Sequence, residues 1–264
     1  MNPILAVESV GLLAPGLTGW AASRPILTGE QPYSATPMPP PSAVLLPANE
    51  RRRVTGLVKL ALHVAQEAID QAGSDPQTIH TVFASSGGDS EVLDKICMAL
   101  TLPDRPVSPT HFHQSVHNTT AGYWSIATGC RQASISLSAH DGSFLAGLRE
   151  AATLAWAESA PVLLIAYDTP HPFPLSERRV IIAPFGVALL LNPAPDDQRL
   201  ALLRLTQTAT AAATVMADPG LETLRIGNPA ARSLPLLEVI AQPAGQWITL
   251  ADGGNMGLCV EVTP

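Results

Sequence analysis

Strands that alternate with helices through the middle of the chain, and then pair near its end, predict a layered α/β fold on a mixed sheet. Two stretches carry most of that expectation. The run PVLLIAYD at 161–168 is apolar without alternation, as a central strand covered on both faces requires. The run RRRVTGLVKLALHVAQEAIDQA at 51–72 sets Val54, Leu57, Val58, Ala61, Leu62, Ala65, Ala68 and Ile69 at helical spacing, with Gly73 at the stop. That apolar stripe is wide, so the helix is expected to be deeply buried.

Before 51–72, ILAVESVGLLAPG opens as a strand that meets the turn signal Pro15-Gly16. Residues 25–50 are proline-rich and are expected to form a loop or extended arm. After the long helix, IHTVFAS at 79–85 reads as a strand. GGDSEVLDKICMAL at 87–100 reads as a helix capped by Asp89 or Ser90. A proline-rich loop, PDRPVSPTHFHQSVH, leads to a short helix over about 118–128. ASISLSA at 133–139 alternates Ile135 and Leu137 with serines and is a strand. A helix follows from Gly142 to about Trp156. Strands are expected at 185–192 and 200–209, a helix at 229–241, and two closing strands in QWITLADGG and MGLCVEV.

Composition bounds the function. The 264 residues suit one large domain. Apolar residues make up 46% and charged residues 14%, against a usual charged share of about a quarter, which points to a chain that is unusually buried or covered by a partner. A net charge of −7 argues against a nucleic-acid footprint, and weakly against docking an acidic carrier through this chain alone. Cys97, Cys130 and Cys259 are an odd, scattered set, which fits a reducing, cytoplasmic setting rather than a disulfide framework. The N-terminus has no basic region followed by a long apolar one, so no signal peptide is expected. The most apolar run, VIIAPFGVALLL, is too short to span a bilayer, so no membrane insertion is expected.

The stretch SVHNTTAGYWSIATGCRQASISLSAHDGSFLAGLREAATLA at 115–155 resembles the N-terminal half of a β-ketoacyl synthase of the thiolase fold. Asn118, Gly122, Gly129, the strand at 133–139, Ala139 and the helix from Gly142 follow one another in the family's order. The stretches VLLIAYD, FGVALLLN and VESVGLLAPG fit the same pattern, and DGGNMGLCVEV faintly so. The resemblance covers most of 1–192 and thinly 225–264. It implies a single thiolase-like domain over 1–264, with a mostly complete first half and a strongly reduced second half at 193–264.

Two departures narrow what the resemblance implies. His140 stands where the family carries its nucleophilic cysteine. The family's second half supplies histidine loops that stabilise the decarboxylation carbanion, yet residues 193–264 hold no histidine. The pattern is similar to chain length factors, and most similar to the ketosynthase-like subunit of aryl polyene biosynthesis. It implies a subunit that is not an enzyme on its own, requires no cofactor, pairs with an active β-ketoacyl synthase and meets acyl carrier protein indirectly. The strand Ser134, Ile135, Ser136, Leu137 and Ser138 would be the dimer edge. Val92, Ile96, Leu100 and Phe112 would wall the acyl pocket.

Other chemistry is weaker. His140 beside Asp141 offers a general base, hence an alternative acyl-transfer or decarboxylating enzyme; a second alternative is a purely stabilising partner subunit. Ser143 is not in a hydrolase elbow, because Leu145 stands where the second glycine belongs. His111, His113 and His117 have metal-like spacing but sit in a loop without an acidic neighbour, and no metal is expected. Cys97 has apolar neighbours and is expected to be buried. The Arg51–Arg53 run stands at the expected helix N-terminus, the unfavourable end for cations, so it is expected to be a solvated face; a partner contact is its sharper reading.

Overall fold

The structure is a computed structural model that describes residues 4–194, 199–209, 212–242, 244–251 and 256–264. The strands are β1 (Ile4–Ala14), β2 (Leu17–Thr18), β3 (His80–Ala84), β4 (Ser134–Leu137), β5 (Val162–Asp168), β6 (Phe185–Asn192), β7 (Ala201–Ala209), β8 (Gln246–Ala251) and β9 (Met256–Thr263). The helices are α1 (Trp20–Leu27), α2 (Ala48–Arg51), α3 (Gly56–Ala72), α4 (Ser90–Leu100), α5 (Pro109–Gln114), α6 (Thr119–Thr128), α7 (Ser143–Glu158), α8 (Pro219–Gly227) and α9 (Leu234–Ala241).

One nine-stranded sheet runs in the order β4-β3-β5-β6-β1-β7-β9-β8, with β2 paired to β1. β3 pairs in parallel with β4 and β5, and the other described pairings are antiparallel. Side chains alternate across the pleat, so a strand covered on both faces must be apolar at every position. In β5, Val162, Leu164 and Ala166 face the core under α7, whereas Leu163, Ile165 and Tyr167 face the core under α3. Val187, Leu189 and Leu191 of β6 divide from Ala188 and Leu190 in the same way. Two helical layers therefore flank the sheet: α3 and α6 on one side, α1, α7, α8 and α9 on the other. β7, β9 and β8 continue this sheet beyond β1 and bury Leu203, Ile248, Leu250, Leu258, Val260 and Val262 on the α9 side.

Four expectations need correcting. The helix expected over 51–72 is two helices, α2 and α3, because the Thr55 side chain accepts a bond from Val58 N and caps a new start at Gly56. The Arg51–Arg53 run thus lies at the end of α2, and Arg51 donates to the carbonyls of Val44 and Leu46 at 3.0 and 2.9 Å. The proline-rich segment at 25–50 is a loop only between α1 and α2, since α1 runs on to Leu27 with Pro25 inside it. Within the expected 103–117 loop, Ser108 caps α5 and Pro109 occupies its first turn. The helix expected at 229–241 begins as a 3-10 turn at Ala230–Ser233, and α8 before it was not anticipated. Residues 252–254 of the expected QWITLADGG strand lie outside the described residues.

α3 lies so close to β1 that a Cβ on Gly11 would stand 1.9 Å from the backbone oxygen of Val64. Gly11→Ala is therefore expected to destabilise the fold by about 3 kcal/mol, because backbone rather than a side chain would have to yield. Urea unfolding monitored by far-UV circular dichroism measures this, and a loss below about 1 kcal/mol would contradict the close packing.

Candidate functional site

β4 ends in a turn whose shape is set by side-chain bonds. Ser138 Oγ donates to the carbonyl of Ser86 at 2.9 Å. His140–Gly142 forms a 3-10 turn, and α7 starts at Ser143. The Ser143 hydroxyl donates to His140 O at 2.7 Å and accepts from Ala139 N at 3.0 Å, closing the turn on itself. His140 takes a left-handed backbone with φ 51, a region in which histidine is one of the better tolerated residues. Its side chain is 73% exposed.

Asp141 faces inward. Its Oδ1 lies 2.6 Å from Arg179 and its Oδ2 accepts from Arg232 at 3.1 Å, while His140 Nδ1 stands 3.7 Å from Oδ1. Partial burial pushes this carboxyl up. The Arg179 bond and the charges of Arg179, Arg232 and His140 outweigh it and hold the pKa below the ordinary 3.8.

A second carboxylate is buried behind the turn. Asp168, at the end of β5, is 2% exposed. Its Oδ1 accepts from Ser85 Oγ, Ser86 N and Ser86 Oγ at 3.0, 2.8 and 2.9 Å, whereas Oδ2 is buried with no hydrogen-bond partner. Burial dominates here and pushes the pKa up to about 6, against the Ser86 and Ser85 bonds and the Arg179 charge. Nearby, His171 Nδ1 pairs with Ser90 Oγ at 2.8 Å. Burial, then the Arg179 charge, lowers the pKa of His171.

β4 is an edge strand: β3 is its one neighbour in the sheet, so its outer N–H and C=O groups have no strand partner among the described residues. Beside it, α5 and α6 form an open groove of about 420 Å³ lined by Phe112, His113, Val116, Gly122, Tyr123 and Ile126, among others. Ser134 and Ser136 join Asn118, Gly122 and Ser125 in an adjacent depression, so groove and strand edge share one surface. Phe112 is 69% exposed and Ile126 53%.

The expected site residues fall into two groups. Ser134 to Ser138 lie together along the edge, next to the turn that carries His140. Phe112 lines the groove, but Val92, Ile96 and Leu100 are not among its lining residues: Val92 is buried on the inner side of α4, Ile96 is half-buried and Leu100 is exposed. Cys97, expected to be buried, is exposed, because α4 buries Ser90 and Val92 on its inner side. His113 packs edge-on against Tyr123, and no three metal-ligating side chains converge among the described residues. Arg179, Arg232 and Asp168 were not anticipated. For Asp168 a signal existed, an acid ending an otherwise apolar strand; for the arginines none did.

A family model described as β-ketoacyl synthase, N-terminal domain, matches residues 27–247. The chain belongs to this family. A search of curated protein sequences finds no match. Among solved structures, the chain is similar over 97% of its length, and 98% of the other chain, to a complex of a ketosynthase (ApeO) with its chain length factor (ApeC) from Xenorhabdus doucetiae, with 23% identity and a TM-score of 0.74. It is also similar to the AntDE:AntF complex of a type II polyketide synthase acyl-carrier protein with its ketosynthase (11% identity, 100% and 99% coverage, TM-score 0.75). The ishigamide ketosynthase/chain length factor matches at 13% identity, 98% coverage of both chains and a TM-score of 0.71. At these identities the likeness is one of fold, and the fold is the thiolase-like ketosynthase fold. In this ketosynthase-family chain no described helix is long and apolar enough to cross a membrane.

The two carboxylates are expected to act on stability with opposite sign. The pKa of Asp141 is lowered in the fold, so its contribution is present above the ordinary carboxylate range and is lost as pH falls through the folded-state value. Asp141→Ala should cost about 1 kcal/mol at pH 7, discounted for its partial exposure, with the difference closing towards pH 3. The pKa of Asp168 is raised, so protonation stabilises the fold fully below the ordinary value, an effect lost as pH rises through about 6. Asp168→Asn should therefore gain on the order of 2 kcal/mol over the native chain at pH 8 and little at pH 4. Denaturant unfolding of Asp141→Ala from pH 7 down to pH 2, and of Asp168→Asn across pH 4 to 8, decides each sign.

Proposed function

We propose that this chain is a chain length factor, a ketosynthase-like subunit that is not an enzyme alone and that pairs with an active β-ketoacyl synthase in a type II polyketide-like, aryl polyene system. One juxtaposition carries the reading. An open strand edge and an exposed apolar groove lie on one surface, beside a nucleophile-type turn whose tip is His140 rather than a thiol. An imidazole does not form the stable yet reactive thioester that acyl transfer through cysteine uses. Antiparallel pairing of β4 with the matching strand of the synthase would satisfy its open backbone groups and cover the groove at the same time. Residues 193–264 are then a reduced second half, and acyl carrier protein is met through the synthase.

Within that reading Phe112 is the best placed of the proposed pocket walls, since its side chain is exposed on the surface the partner would cover. The alternative, an acyl-transferring or decarboxylating site on His140 and Asp141, is disfavoured by the Asp141 contacts. Both its oxygens are held by Arg179 and Arg232, so it is poorly placed to serve as the imidazole's partner.

Co-expression with a candidate partner β-ketoacyl synthase, followed by size-exclusion chromatography and product mass analysis, tests the proposal. A stable heteromer is expected, and Val116→Asp with Ile126→Asp should weaken it at least about tenfold while leaving the thermal midpoint of the isolated chain unchanged, because both positions are exposed. Phe112→Ala should lengthen the product by about one two-carbon unit, as a receding wall would allow. Unchanged product length in an intact complex reduces the role to a stabilising subunit. Turnover of a malonyl-carrier substrate by the isolated chain, or an acyl adduct on it, rejects the non-catalytic reading.

A further inference from the structure

Four groups meet behind the His140 turn: the loop that leaves β3 at Ser85, the last residue of β5, the end of the edge strand, and the 171–179 loop. One carboxylate oxygen organises them. Asp168 Oδ1 receives three hydrogen bonds, two from Ser86 and one from Ser85. Ser85 Oγ in turn accepts from Gly88 N at 3.0 Å, and the carbonyl of Ser86 accepts from Ser138 Oγ at 2.9 Å. A continuous path of hydrogen bonds thus runs from the buried carboxyl, through the 85–88 loop, to Ser138, two residues before His140.

We infer that Asp168 is a positioning residue whose charge state sets how firmly the 85–88 loop, and through Ser138 the end of the β4 edge, is held. Hydrogen bonds to an ionised acceptor are roughly twice as strong as those to a neutral one, so ionisation tightens all three bonds together. Oδ2, buried with no hydrogen-bond partner, is the oxygen at which a proton can sit without displacing a donor. Burial places the carboxyl where it titrates between mildly acidic and neutral pH. The charged and titratable groups around it are few. Arg179, from the loop after β5, favours the anion. Tyr167, the preceding residue of β5, is pushed well above its ordinary value by burial, with Asp168 and Asp89 adding to the shift, so it stays neutral throughout this range. His171 bonds Ser90 rather than the carboxylate. Asn228 contributes only an uncharged bond to the Asp168 carbonyl.

This arrangement separates two quantities that usually move together. Acidification should strengthen the fold as a whole at this carboxyl while loosening the loop it holds. The amide of Ser86, bonded directly to Oδ1 at 2.8 Å, reports the second effect. Amide hydrogen exchange on the isolated full chain, corrected for intrinsic rates, is expected to show the Ser86 protection factor falling about fivefold between pH 8 and pH 5, while the Leu164 amide in the core, which reports the fold as a whole, does not fall. In Asp168→Asn the Ser86 protection should be low and flat with pH, whereas His171→Gln should keep the native pH dependence. A flat native profile, or one that persists in Asp168→Asn, or one that vanishes in His171→Gln, overturns the inference. The native and His171→Gln profiles stand even if Asp168→Asn does not fold. No partner is present in this experiment, so its outcome is independent of whether the chain pairs with a ketosynthase.

Discussion

β1 is hydrogen-bonded along both edges, and the placement of the site follows from that constraint. Its residues Ala6 to Leu13 pair with β6, and Ile4 to Val7 pair with β7. A register shift between Val7 and Ser9 lets the strand serve both neighbours. Because β7 takes the outer side of β1, the C-terminal strands extend the existing sheet rather than build a separate one. The two open edges are then β4 and β8, at opposite ends. α3 locks the same strand from above through the Gly11 contact and through Glu67, which accepts from Leu12 N and Trp20 N at 2.9 and 2.6 Å. A rigid centre leaves the variable chemistry to the end of the sheet where β4 turns into α7.

The turn at that end is held in shape by bonds that do not involve the side chain at its tip. A left-handed residue other than glycine is sustained only where its surroundings over-determine it. Here Ser143 bonds on both sides of His140, and Asp141 is fixed by guanidinium groups from a loop and from a 3-10 turn that are distant in sequence. These partners hold the backbone and leave the His140 imidazole in solvent. The frame is thus specified separately from the side chain at its tip.

That separation explains what the sequence disclosed. The apolar runs of β5 and β6, the serine–aliphatic alternation of β4 and the small-residue spacing of α6 each encode burial locally, and each element formed where it was expected. α5 and α8 escaped notice although both carry a local signal: Ser108-Pro109 and Asp218-Pro219 are an N-cap residue followed by proline in the first turn. Alone, each proline is a loop signal; with the cap residue before it, each marks a helix start. The break at Thr55 is the same kind of omission, a cap hidden inside a continuous apolar stripe. The Arg179 and Arg232 contacts are a different matter. Arg232 lies 91 residues from Asp141, and no periodicity or spacing links the two. Long-range ion pairs of this kind exist only once the topology brings a loop after β5 and a 3-10 turn before α9 to the same corner.

The surface carries the remaining argument. Among the described residues, Leu93, Met98, Leu100, Leu102, Phe112, Val116 and Ile126 make up seven of the sixteen exposed large apolar side chains, and they fall within a single stretch of chain around α4, α5 and α6. Scattered apolar residues are normal on any surface, but Phe112, Val116 and Ile126 form a cluster next to an open strand edge, which is not. An open edge is usually blunted with charge or proline; β4 instead offers Ser134, Ile135, Ser136 and Leu137. Pairing at the edge and burial of the groove would reinforce one another, since a strand docked on β4 brings its own chain over α6, where Gly122 has no atom within 4 Å of an added Cβ and leaves room for close approach. The low charge content of the whole chain is what the proposed pairing would require of a subunit whose exposed apolar side chains it covers.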